Sequence, residues 1–166
     1  MKELISSGLE ALGLTGSVPP DAAEKLAEYG RLLLEKNQVM NLTAIRDEAG
    51  VARLHMLDCA ALLPCADLTG ARTLLDVGTG AGFPGLPLKI LLPQLDVTLL
   101  DSLNKRVDWL NEVSAQLGLT GVRAIQGRAE EKALEKSMRD SFDLVTARAV
   151  ADLRLLSELC LPFVKV

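Results

Sequence analysis

Thr73-Leu-Leu-Asp-Val-Gly-Thr-Gly-Ala-Gly-Phe-Pro-Gly85 is a short apolar run that ends in glycines at positions 78, 80, 82 and 85. A run of this length, bounded by glycine, reads as a buried strand entering a tight turn. Val97-Thr-Leu-Leu100 repeats the form before Asp101. Both are expected to be parallel strands buried on both faces. Pro84 to Leu92 between them reads as a helix. From Lys105 to Leu117, Val107, Leu110, Val113 and Leu117 share one helical face, and Gly118 and Gly121 close that unit. The alternation continues with a strand at Val122 to Ile125 and a helix near Ala129 to Lys136. A strand at Phe142 to Thr146 and a helix from Asp152 to Leu161 follow. Strand and helix taking turns in this way define a doubly wound α/β domain, which binds ligands beyond the carboxyl ends of its strands. Phe163-Val-Lys-Val166 reads as the start of a fifth strand, so C-terminal strands are expected to be missing from the sheet.

The first sixty residues carry a helical period instead. Pro19, Pro20 and Asp21 signal a helix start before Ala23, Leu26, Tyr29, Leu33 and Leu34. A turn is expected at Asn37 to Asn41. Val51, Leu54, Leu57 and Ala61 then recur at three- and four-residue steps, predicting a helix from Asp47 to Leu63 that ends at Pro64. The chain thus divides into a helical extension, residues 1–66, packed on an α/β core, residues 67–166, as one globular unit.

Composition narrows the class. The 166 residues are 49% hydrophobic and 24% charged, ordinary for one folded domain. No apolar run approaches a bilayer span, and Glu3 and Glu10 interrupt the place of a signal peptide, so a cytoplasmic protein is expected. A monomer is expected as well. Cys59, Cys65 and Cys160 match neither a zinc spacing nor a redox pair, so no metal is expected and all three read as buried thiols. A net charge of -4 confines any nucleic-acid contact to a local patch.

Gly80, Gly82 and Gly85 satisfy the spacing of dinucleotide-binding loops, a weak signal alone. Asp76, at the tip of the first strand, is a poor neighbour for a pyrophosphate and suits a cationic ligand such as a sulfonium bearing an ammonium group. Asp101, twenty-five positions later, is placed to accept hydrogen bonds from ribose hydroxyls, in either a nicotinamide or an adenosylmethionine site, or to cap the helix that follows.

With these residues in view, the sequence resembles the bacterial 16S ribosomal RNA guanine-N7 methyltransferases, the family of glucose-inhibited division protein B. Five blocks carry the likeness in order: Asn41-Leu-Thr-Ala-Ile-Arg46, Arg53-Leu-His-Met-Leu-Asp58, Leu75 to Pro87, Thr98 to Val107, and Ala147-Arg-Ala149. The resemblance implies a Rossmann-like class I methyltransferase fold, S-adenosyl-L-methionine as cofactor and 16S rRNA or the small ribosomal subunit as partner. It further implies a cofactor site of Gly78, Gly80 and Phe83 in the loop, Asp101 on ribose, and Ala129 and Glu130 beside adenine. Arg148, after the fourth strand, would position substrate or cofactor.

Guanine N7 has an in-plane lone pair and no proton, so it needs no general base to attack a sulfonium methyl. Catalysis then rests on alignment, worth roughly 7 to 11 kcal/mol. Arg148 reads either as that aligning residue or as a surface arginine paired with Asp152. His55, the only histidine, is either a hydrogen-bonded structural residue or a contact at the RNA entrance. Lys105, Arg106 and Arg128, with Arg123, form either a phosphate-binding cluster or a solvated helix face. Three Phe, one Tyr and one Trp leave no evident platform for stacking single-stranded RNA. Two other readings stay open: an NAD-dependent oxidoreductase, and a non-catalytic adenosylmethionine- and RNA-binding module.

Overall fold

The computed structural model describes residues 1–68 and 70–166. Four parallel strands, β1 (Thr73–Val77), β2 (Asp96–Asp101), β3 (Val122–Gln126) and β4 (Leu144–Ala147), form one sheet in the order β3-β2-β1-β4. β1 is central, pairing with β2 from Thr73↔Asp96 to Val77↔Leu100 and with β4 from Leu74↔Leu144 to Val77↔Ala147. Alternate side chains leave a strand on opposite faces. Leu74, Val97 and Leu99 accordingly join one apolar cluster, and Leu75, Val77 and Leu100 join another with Phe142 and Phe163.

The first cluster is built with the N-terminal helices. α1 (Lys2–Ala11) contributes Ile5 and Leu9, and α2 (Ala22–Met40) contributes Leu26, Tyr29 and Leu33. They pack against residues of the sheet and of α5 (Gly85–Leu91) and α6 (Asn104–Gln116). α2 extends through the turn expected at Asn37 to Asn41, ending with Asn41 in the left-handed region at φ 38°. The Asn37 side chain makes the turn possible from inside the helix. Its Oδ1 accepts from the N–H of Leu42 (2.6 Å) and Thr43 (2.9 Å), and its Nδ2 donates to the Thr43 carbonyl (2.9 Å).

The next helix changes pitch along its length. α3 (Glu48–Val51), started by an Asp47 side chain that accepts from Gly50 N–H, widens into a π-helical stretch at Ala52–Leu57 and tightens again in α4 (Asp58–Ala60). Such widened turns re-aim side chains and are frequent at functional sites. Here the stretch carries His55.

Later elements are shorter than expected. α7 spans only Ala129–Lys132 instead of reaching Lys136, and β4 starts at Leu144 because Asp143 serves another purpose. The Asp143 Oδ2 accepts from the N–H of Arg72 and Thr73 and from Thr73 Oγ1, while Lys165 donates to Oδ1 at 2.7 Å. These contacts hold its carboxyl well below the usual range. α8 (Leu153–Cys160) starts on an Asp152 cap at Leu155 N–H. At the place of the expected fifth strand there is one parallel bridge, Phe142↔Val164, after a 3-10 turn at Leu161–Phe163. Of the three thiols, Cys59 is buried, Cys160 partly so, and Cys65 is exposed rather than buried, since it sits in the turn beyond α4.

Candidate functional site

A cavity of about 300 Å³ opens at the carboxyl ends of the strands. Val77 and Gly78 line it from β1, Leu100, Asp101 and Ser102 from β2, Gly127 to Glu130 from beyond β3, and Ala149 and Val150 from beyond β4. This is the crevice that a doubly wound sheet offers to ligands.

The loop after β1 is shaped from below. Gly78 and Gly80 adopt φ +64° and +60°, a backbone that side chains disfavour. The Thr79 N–H donates to Leu100 O (3.0 Å) and the Gly80 N–H to Asp101 Oδ2 (2.9 Å), tying the loop to the end of β2. Asp101 Oδ1 accepts from Leu103 N–H at 3.0 Å, and Arg106 Nη1 lies 3.6 Å from Oδ2. A carboxylate has about four acceptor positions. Two backbone bonds therefore orient Asp101 and leave lone pairs for a ligand's hydroxyls.

Asp76 does not face the cavity, which corrects its reading as the partner of a cationic ligand. It is fully buried, its Oδ2 accepting from Thr79 Oγ1 (2.6 Å) and Gly85 N–H (3.0 Å) and its Oδ1 from Thr146 Oγ1 (3.0 Å). Burial raises its pKa to about 6 against the pull of these three donors. Its work is to close the glycine loop onto α5 and β4.

The same bond disfavours the dinucleotide reading. A pyrophosphate in such loops takes N–H groups at the start of the helix, but Gly85 N–H is already held by Asp76. A methyl group on Gly85 would meet Leu99 Cδ2 at 2.4 Å, and one on Gly82 would meet the Tyr29 hydroxyl at 2.7 Å. Two of the three glycines in the motif thus serve internal packing.

Four of the residues expected at the cofactor line the cavity: Gly78, Asp101, Ala129 and Glu130. Arg106 and Arg128, expected on RNA, line it too, Arg128 lying 3.9 Å from Glu130. Lys105 is exposed on the first turn of α6. Gly80 sits in the loop beside the lining residues. Phe83 is 4% exposed and lies beneath the loop, outside the lining.

Phe83 belongs to a second assembly next to the cavity. Its ring stacks on His55 at 4.4 Å and 13°, and the Arg148 guanidinium lies 5.0 Å from its centroid. Tyr29 lies 5.3 Å from Phe83, and Trp109 lies 6.3 Å from Tyr29. The chain's only Trp, Tyr and His thus stand in one column with Phe83. The Tyr29 hydroxyl, held protonated by burial, donates to the Ala81 carbonyl and supports the loop from α2.

Arg148 is not paired with Asp152, as spacing alone allowed. Its Nη1 donates to Leu54 O and Asp58 Oδ2, both at 3.2 Å, and its Nη2 to His55 Nδ1 at 2.9 Å. A guanidinium only donates, so Nδ1 carries the lone pair and the proton is on Nε2, which donates to Thr43 Oγ1 at 2.8 Å. Burial, and then the charge of Arg148, lower the His55 pKa to about 4. The histidine is neutral, buried and engaged at both nitrogens, so it offers RNA no free ring nitrogen. Tyr29, Thr43, Asp58 and Val150 also belong to the site, without a site signal of their own in the sequence. Thr43 and Asp58 lie in the quoted blocks but carry no signal of their partners.

The family model described as rRNA small subunit methyltransferase G matches residues 22–166. The curated relative of that name from Alkaliphilus metalliredigens is 48% identical over 165 residues, covering 99% of this chain and 68% of its own. The relative from Clostridium perfringens is 44% identical over 164 residues with the same coverage, 99% and 68%. Among solved structures, a SAM-dependent methyltransferase from Aquifex aeolicus matches with TM-score 0.51 and 25% identity over 69% of this chain and 62% of its own. Coclaurine N-methyltransferase matches in fold, with TM-score 0.53 and 18% identity over 95% and 52%. The chain belongs to the rRNA small subunit methyltransferase G family.

Proposed function

We propose that this chain transfers a methyl group from S-adenosyl-L-methionine to N7 of a guanine in 16S ribosomal RNA, on free rRNA or on the small subunit. The observation that carries the reading is the cavity in which Gly78 and an oriented Asp101 meet Ala129 and Glu130 at the strand ends. Family membership supplies the reaction class.

The residues fit the cofactor. A methyl group on Gly80 would have no neighbour nearer than 4.0 Å, so a ligand can approach the loop closely there, while Gly78 lies under the side chain of Val150. Asp101 offers acceptors for ribose, and Ala129 and Glu130 form the wall where adenine would lie. When bound, adenosylmethionine supplies an electrophilic methyl on sulfur. The chain's part is to align it with the base and exclude competing geometries. Arg148 is placed to align the base, with Phe83 as its support rather than as a cofactor contact. Lys105, Arg106 and Arg128, around the mouth, are the cations available to RNA phosphates. Residues 1–66 act as a helical extension on the binding core of 67–166. No helix among the described residues is long and apolar enough to cross a membrane. We place the protein in the cytoplasm, as a monomer, where its substrate is made.

The test is twofold. Calorimetry is expected to show binding of adenosylhomocysteine and not of NAD. Labelled cofactor is expected to mark small subunits from cells lacking this methylation, on a guanine mapped as N7-methylated. Tight NAD binding without adenosylhomocysteine binding overturns the reading, and cofactor binding without label transfer favours the non-catalytic module.

A further inference from the structure

We propose that Thr43 and His55 form a positioning relay that holds Arg148 beside the cavity. The proposal rests on the methyl-transfer reading above and names the residues through which the N-terminal helices act on it.

The relay starts at α2. Asn37, 2% exposed, binds the Thr43 N–H and C=O with its side-chain amide, so Thr43 is fixed before any tertiary partner is added. Thr43 Oγ1 accepts from Ile45 N–H (3.2 Å) and from His55 Nε2–H (2.8 Å). Arg148, which can only donate, sets the tautomer, and the Thr43 bond holds the ring so that the Nδ1 lone pair faces Arg148. The ring is also clamped flat on Phe83, so Nδ1 has one direction available.

Arg148 is held on three sides but not used up. Of its five N–H groups, the two on Nη1 go to Leu54 O and Asp58, and one on Nη2 goes to His55. The side chain keeps 30% of its exposure. The second Nη2 hydrogen and the Nε hydrogen suit an acceptor outside the protein, such as the O6 of a guanine presenting N7. An arginine bound only by exposed Asp58 would sample several rotamers. A buried neutral imidazole removes that freedom without cancelling the guanidinium charge.

The turn after Arg148 links this cluster to the cavity. Ala149 takes φ +55° and Val150 lies over Gly78, both lining the cavity wall. His55 is 93 residues from Arg148 in sequence, and the widened π-helical turn aims it there.

The test uses the full chain, single-turnover transfer to small subunits and calorimetry. His55→Ala is expected to slow transfer about ten-fold or more with the adenosylhomocysteine Kd within about three-fold of wild type, and His55→Gln, which keeps an acceptor for Arg148, to recover most of the rate. In an Arg148→Ala background, His55→Ala is expected to change the rate less than about two-fold, since residues acting as one unit are not additive. Additive losses, a Kd that weakens in step with the rate, or wild-type transfer by His55→Ala overturn the relay. If His55→Ala does not fold, Thr43→Val against Thr43→Ser gives the same comparison, with Ser retaining the rate. Nitrogen NMR of the imidazole reads the relay without activity. The Nε2–H tautomer in wild type, with an Nε2 resonance that shifts in Thr43→Val as its acceptor is lost, supports the relay, and an unshifted Nε2 in Thr43→Val or a protonated Nδ1 in wild type overturns it. Failure of the wild type to label rRNA overturns the methyl-transfer reading and leaves the NMR result to decide the relay.

Discussion

The Gly80 N–H lies 2.9 Å from Asp101 Oδ2, so the glycine loop after β1 and the acid ending β2 form one rigid unit. Asp101 both shapes the loop and presents acceptors to the cavity.

Removing that carboxylate acts on binding more than on folding. Asp101→Ala is expected to weaken adenosylhomocysteine binding by about 1 to 3 kcal/mol, the range for hydrogen bonds to a charged group, and Asp101→Asn by less, because one acceptor remains. Calorimetry checks this, and unchanged affinity in both variants refutes the assignment.

Gly78 and Gly82 separate ligand geometry from packing. A methyl group on Gly78 meets Val150 Cγ2 at 2.7 Å at φ +64°, but Val150 is 37% exposed and can swing away. Gly78→Ala should cost about 1 to 2 kcal/mol of stability and a larger share of cofactor affinity. Gly82→Ala, at φ +103°, drives into Tyr29 Oη and Leu86 Cδ1, both at 2.7 Å, and Leu110 Cδ2 at 3.0 Å. A loss of about 2 to 4 kcal/mol is expected by denaturant midpoint.

His55 makes stability fall in acid. Its pKa drops from 6.5 in the unfolded chain to about 4 in the fold, so the unfolded state takes up a proton first as pH falls below about 6.5. The histidine's own contribution to the loss between pH 7.5 and 5 is on the order of 2 kcal/mol, and His55→Gln should remove it. Asp76 acts in the opposite sense. With a folded pKa of about 6 against 3.8 unfolded, it is the folded state that binds the proton first, and stability gains as pH falls from about 6 toward 4. Urea titrations of the wild type and His55→Gln at both pH values resolve the histidine contribution. A wild-type-like acid loss in His55→Gln would contradict the assignment.

Methyl transfer itself should depend little on pH between about 6.5 and 8.5 when chemistry is rate-limiting, because N7 needs no base and His55 is already neutral there. Single-turnover rates with a slower-reacting cofactor analogue check this. A steep rise that vanishes in His55→Gln would point to a different target atom.

The strands, the glycine loop and the place of Asp101 were legible in the sequence because each is a local property. A five-residue apolar run followed by glycines has few conformations open to it, and the end of the next strand falls where its own apolar run stops. The resemblance of five blocks then named the cofactor and substrate class. Only the tertiary structure decided which side chains border the cavity. Asp76 and Asp101 look alike in sequence and both are buried, yet the Asp76 carboxylate is taken up by three donors within the fold while Asp101 borders the cavity. Phe83 lies in the loop but beneath it, and His55 and Arg148 meet across 93 residues. Burial and hydrogen-bond partners depend on how distant elements pack, and local propensity carries no record of that. In the Thr43–His55–Arg148 chain, the direction of both bonds is set by the Arg148 guanidinium, which can only donate.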